Sequence, residues 1–154
     1  MQYFHIEVAT CVEFSPETFQ QMAGLIAYYN TAHWVYLHLM GHEDGQSKFL
    51  QIIYCDNFGM QDILETPIDL SGQKRIYLKA HFHQADLQFY YATEANEWQK
   101  IGDRLDGSIL SDDYVRDGSD RYRPAFTGAF VGLCCQYLSG RKQYADFDWF
   151  EYIE

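Results

Sequence analysis

His81 and His83 stand two residues apart in a run that alternates apolar and polar residues, so they share one face of a strand, as a pair of metal ligands would need. His38 and His42, separated by a loop, do not bring a third ligand at a recognisable spacing, so solvated strand histidines are expected and no metal site. Asp112, Asp113, Asp117 and Asp120 offer the several oxygens that calcium takes on a flexible loop. Their spacing is not that of an EF-hand, and Arg116, Arg121 and Arg123 are equally good partners for them. An ion-paired, solvated loop is therefore the expectation, with no cofactor required. Trp34, Tyr36 and Trp98, together with Trp149, are the candidates for a platform on which sugar rings stack. Nucleophile elbow, glycine-rich phosphate loop and Cys-x-x-Cys are absent, and no residue is assigned a catalytic role.

The elements that would position these residues are strands. Phe4, Ile6, Val8, Val12 and Phe14 face one way and His5, Glu7 and Glu13 the other, which predicts a half-buried strand ended by Ser15-Pro16. Residues 22–30 and 34–39 read as a hairpin turned at Asn30, and 76–82 with 87–91 as a second. Phe49 to Tyr54 and Trp98 to Ile101 add strands, and residues 57–74 read as loop with one short strand near Ile68 to Leu70. No window longer than about ten residues keeps a helical period, so the expectation is an all-β jelly-roll sandwich of about eight to ten antiparallel strands. One helical turn is allowed near Asp106 to Asp113.

Length and charge bound the function. At 154 residues the chain makes one domain, 1–154, and its net charge of −11 argues against nucleic acid, since nothing here displaces counterions from phosphates. Aromatic residues make up 18% of the chain, so most of them must be core. Cys11, Cys55, Cys134 and Cys135 lack metal spacing and are read as small buried thiols in the reduced state. Neither a signal peptide nor a membrane-length apolar run is visible, which predicts a cytoplasmic protein with no membrane partner.

The chain is organised around its last third. Phe126 to Cys135 is an apolar and small-residue run that reads as a strand buried on both faces. Ser139-Gly140 punctuates it. A following strand then puts Ala145, Phe147 and Trp149 on one face and Asp146, Asp148 and Phe150 on the other. The pair is expected at the centre of the sheet packing.

These residues carry a resemblance. Phe126-Thr-Gly-Ala-Phe-Val-Gly132, Leu138-Ser-Gly-Arg141 and Ala145-Asp-Phe-Asp148 resemble the end of family 43 glycoside hydrolases of the β-xylosidase type. Ala23-Gly-Leu25, Tyr28-Tyr-Asn30, Tyr36-Leu-His38, Cys55-Asp-Asn57, Asp86-Leu-Gln-Phe89 and Ser108-Ile-Leu-Ser-Asp112 extend the likeness over nearly the whole chain. The resemblance implies a concanavalin A-like β-sandwich that follows a five-bladed catalytic propeller. There an Asp base, a Glu acid and a second, tuning Asp cleave xylosides with inversion. None of that propeller is in this sequence, and the resembled sandwich begins before the equivalent of Gln2-Tyr-Phe-His5. The expectation is a non-catalytic accessory domain, inactive alone, whose partners are a propeller and a xylo-oligosaccharide. An open strand edge would invite strand addition or homo-oligomers. The resemblance also makes Phe126 the aromatic lid of the propeller's pocket, with Arg121 and Arg123 on its rim. The alternative is an independent, lectin-like carbohydrate-binding module.

Overall fold

The computed structural model describes residues 5–117 and 128–154. In chain order the strands are β1 (His5–Phe14), β2 (Gln21–Asn30), β3 (His33–Gly41), β4 (Lys48–Asp56), β5 (Gly59–Asp62), β6 (Ile68–Asp69), β7 (Arg75–His83), β8 (Asp86–Ala92), β9 (Gln99–Asp106), β10 (Phe130–Tyr137) and β11 (Ala145–Ile153). A 3₁₀ turn, Gly107–Leu110, and one short helix, α1 (Asp112–Asp117), lie between β9 and β10. The strands form two antiparallel sheets, one five-stranded in the order β11-β1-β7-β8-β9 and one six-stranded in the order β10-β2-β3-β4-β5, with β6 also on β4. Both predicted hairpins, β2–β3 and β7–β8, are present. Among the described residues no helix is long and apolar enough to cross a membrane.

The alternation read in the sequence decides which side of each strand is buried. Val8, Val12 and Phe14 of β1 meet Leu25 and Ala27 of β2, Val35, Leu37 and Leu39 of β3, and Ile76, Leu78 and Ala80 of β7 in one apolar layer between the sheets. At about 25 cal/mol per Å² of apolar surface withdrawn from water, this layer is the main source of stability. Lys48 tethers the β4 end of the sandwich. Its Nζ donates to the carbonyl of Phe14 at 2.9 Å and to that of Gln73, and burial holds its pKa below the ordinary lysine value.

The last two strands are not where the sequence suggested. β10 and β11 do not pair with each other, and neither is central: β10 is the edge of the six-stranded sheet and β11 the edge of the five-stranded one. Nor is β10 buried on both faces, since Phe130 is 64% exposed. An apolar run signals side chains that avoid water, but it does not say whether the fold covers them. The predicted phase of β11 also breaks. Cys11 pairs with Trp149 and Val12 with Phe147, leaving Asp148 as the extra residue of a bulge. Beyond it the faces exchange, so Phe150 and Tyr152 follow Ala145 and Phe147 inward while Trp149 turns out. Cys135, expected to be buried, is exposed, and all four cysteines are free thiols.

Candidate functional site

The predicted lid Phe126 and the rim residues Arg121 and Arg123 lie outside the described residues, which flank their segment on both sides. On the N-terminal side, Asp106 accepts the Ser108 amide at 2.9 Å and caps the 3₁₀ turn, whose Ile109 and Leu110 are buried. Gly107 fits there because its amide bonds the Ala85 carbonyl at 2.7 Å, where a Cβ would stand only 3.0 Å from that oxygen. Two tyrosines then pin α1. The Tyr29 hydroxyl donates to Asp112 Oδ1 at 2.6 Å, and the Tyr114 hydroxyl to Asp56 Oδ2 at 2.6 Å.

Asp56 is shared. Its other oxygen lies 3.5 Å from Nε2 of buried His33, whose Nδ1 is 3.2 Å from Asn30 Oδ1, and the Tyr114 ring meets the His33 ring edge-on at 6.0 Å. The bond to Asp56, helped by burial, pushes the Tyr114 phenol up to about 12, so it stays a donor throughout the physiological range. The network joins Asn30 and His33 at the β2–β3 turn, Asp56 at the end of β4 and α1, and so fixes where the chain leaves for residue 118.

On the C-terminal side the chain returns at Gly128 and Ala129 into β10. Between the two attachments a cavity of about 380 Å³ opens at the end of the sandwich, lined by Ile6, Phe82, Leu110, Asp112, Val131 and Tyr152 among others. Its wall is apolar from both sheets, with Asp112 and Asp113 also among the lining residues, a shape suited to receiving an apolar side chain or segment.

The structure does not bring the predicted sugar platform together. Trp34 and Tyr36 belong to the six-stranded sheet, Trp98 lies over the five-stranded one, and Tyr36 is only 1% exposed. Burial raises the Tyr36 phenol's pKa, and its hydroxyl is spent on the Cys134 carbonyl. Trp98 instead joins Lys79, whose Nζ lies 4.5 Å from its ring and 5.0 Å from that of Tyr90, and Tyr77, which contacts both Trp98 and Trp149. The sequence reading missed this grouping. The alternation that sets Tyr77 and Lys79 on the outer face was its only signal.

His5 joins the predicted pair, with its Nδ1 3.3 Å from that of His83 and its ring 4.7 Å from that of His81. Burial and the neighbouring His5 lower the His81 pKa. Among the described residues no three or more His, Cys, Asp or Glu are arranged to hold a metal ion. Asp113 pairs with Arg116 at 3.0 Å.

The sequence matches the family described as the beta-xylosidase C-terminal concanavalin A-like domain over residues 1–153. The chain belongs to this family. It is 40% identical over 154 residues to a beta-xylosidase of Bacillus subtilis (strain 168), covering 99% of this chain and 28% of that relative. It is 35% identical to a putative beta-xylosidase of Escherichia coli (strain K12), covering 98% of this chain and 27% of the relative. The crystal structure of a xylan beta-1,4-xylosidase from Bacillus halodurans C-125 superposes with a TM-score of 0.88 at 44% identity, covering all of this chain and 28% of that one. The chain thus spans little more than a quarter of the relatives it matches, and corresponds to their C-terminal, concanavalin A-like part.

Proposed function

We propose that this chain is the non-catalytic accessory domain of a family 43 β-xylosidase-type glycoside hydrolase, acting on xylo-oligosaccharides only with a catalytic propeller as partner. The match to the family's C-terminal domain over residues 1–153, on 28% of a relative's length, carries the reading. In it, the segment that carries Phe126 is the functional one. Phe126 closes the partner's sugar pocket and excludes water, and Arg121 and Arg123 shape its rim. The anchoring of α1 through Tyr29–Asp112 and Tyr114–Asp56 supports this role, because an aromatic lid is useful only if its stem is held in place. The reading places the domain in a reducing, cytoplasmic setting, in keeping with its four free thiols, and within a homo-oligomer of the complete enzyme.

The alternative, a free-standing lectin-like module, loses support from the burial of Tyr36 and the separation of Trp34 from Trp98. The test is Phe126→Ala in the complex with a catalytic propeller. Xyloside turnover should fall at least tenfold while the complex stays intact. Unchanged turnover would remove Phe126 from the pocket.

A further inference from the structure

The pairing of β1 with β7 gathers imidazoles that spacing along the chain leaves apart. His5 stands opposite His83 and Glu7 opposite His81, so three imidazoles and a carboxylate occupy four neighbouring positions at one end of the strand pair. Residues two apart on a strand share a face, and so do residues directly opposed across a pair. All four therefore project from the outer side of the sheet, while Val8 and Ala80, next to them in sequence, belong to the core.

Two observations point to a cation as the ligand of this cluster. The Nδ1 atoms of His5 and His83 lie 3.3 Å apart. Two nitrogens on one tetrahedral zinc ion, each bonded at about 2.0–2.1 Å, stand about 3.3 Å from each other. Beside them, His81 Nε2 is shielded from solvent and has no hydrogen-bond partner, although its ring lies 4.7 Å from that of His5. A shielded ring nitrogen without a partner costs free energy that a bound cation would offset. As they stand, the three rings do not converge on a single centre. His5 and His83 are exposed and His81 half-buried, so rotation about side-chain bonds is all that convergence requires.

The surroundings choose the metal. Glu7 lies 3.3 Å from Lys79 Nζ, and Asp86, opposite His83, lies 3.1 Å from Arg104, so the nearest carboxylates already have cationic partners. Imidazole is then the donor set, which suits zinc and its transition-metal neighbours rather than calcium or magnesium, whose ligands are oxygens. We propose that His5, His81 and His83 form a binding site for a divalent transition metal of the zinc type, with three imidazole ligands and a fourth position filled by water or by Glu7. Two ligands come from one strand and one from its neighbour, so the metal clips β1 to β7. The same strand ends carry Ile6 and Phe82, paired with each other and lining the cavity on the inner side of the sheet. A bound metal thus stiffens one wall of that cavity. The site stands independently of the accessory-domain reading.

The test is titration of the EDTA-treated chain with zinc alone, followed by its imidazole nitrogen resonances and by thermal melting. The expected result is one zinc per chain, shifts at His5, His81 and His83 with none at His42, and a higher melting temperature. His81→Gln and His83→Gln should each weaken zinc binding at least tenfold while melting in EDTA close to wild type, and His42→Gln should leave binding unchanged. Calcium in place of zinc should shift none of the three. Absence of binding with equimolar zinc, binding that leaves His81 unshifted, affinity that survives both replacements, or equal shifts with calcium would each overturn the proposal.

Discussion

The Tyr36 hydroxyl donates to the Cys134 carbonyl at 3.1 Å, reaching from β3 across β2 to β10. The crossing is beside Gly24, which pairs with His38 on one side and Cys134 on the other. β2 lies so close to β3 there that a Cβ on Gly24 would stand 2.0 Å from the Leu37 carbonyl oxygen. Backbone cannot yield as a flexible side chain can. Gly24→Ala should therefore cost about 3 kcal/mol or more in urea unfolding and loosen β10 with it. A loss below about 0.5 kcal/mol would mean that the strands do not approach so closely.

The Tyr114–Asp56 bond makes a separable prediction. Tyr114→Phe keeps the ring against His33 but removes a hydrogen bond to a carboxylate, and the site is only partly buried, so about 1.5 kcal/mol of stability should be lost. If the segment carrying Phe126 serves a partner's pocket, the same change should reduce xyloside turnover by the assembled enzyme, because the α1 anchor ahead of that segment loosens. Equal activity in wild type and variant would separate the network from that segment.

Two histidines should weaken the fold in mild acid. Burial lowers the pKa of His38, whose Nδ1–H donates to the Tyr36 carbonyl at 3.2 Å, and burial with the neighbouring His5 lowers that of His81. The unfolded chain then binds protons that the folded one refuses. Stability is complete above the unfolded histidine value of about 6.5 and is lost as pH falls through the lowered folded values. Melting temperature should decline from about pH 6.5 downward, before most carboxylates titrate, and His38→Gln should flatten that decline. An identical acid profile in the variant would show that His38 is not responsible.

Thr10 guards the bulge in β11. Its buried hydroxyl donates to the Trp149 carbonyl at 2.6 Å, next to the residue where the two faces exchange. Thr10→Val keeps the shape and leaves that carbonyl without its donor, which should cost about 1 kcal/mol and shift Trp149 emission to the red. Emission unchanged from wild type would place the bulge under other control.

Alternation made the sandwich legible. Val8 and Val12, Val35 and Leu37, and Ile76 and Leu78 each announced a buried face, and the turns at Asn30 and after His83 announced hairpins. The last third was misread because apolarity does not by itself set burial: Leu133 and Phe150 are as apolar as core residues and stand opposite buried Leu25 and Thr10, yet they are 41% and 43% exposed. The bulge at Asp148 was hidden for a related reason: one unpaired residue exchanges the faces of a strand and leaves no mark in composition. Of the site, the segment carrying Phe126 was located by resemblance alone. The tyrosine anchors Tyr29 and Tyr114 went unnoticed because their carboxylate partners, Asp112 and Asp56, are 83 and 58 residues away.

A domain that serves a catalytic partner and does no chemistry itself has a direct signature in turnover. The direct measurement is hydrolysis of 4-nitrophenyl xyloside by three samples: the purified chain, the preceding portion of the Bacillus subtilis relative, and the two together. The expected result is no turnover from the chain alone and a rate for the mixture at least tenfold above that of the preceding portion. Turnover by the chain alone that follows its purity and disappears when its own carboxylates are replaced would contradict it.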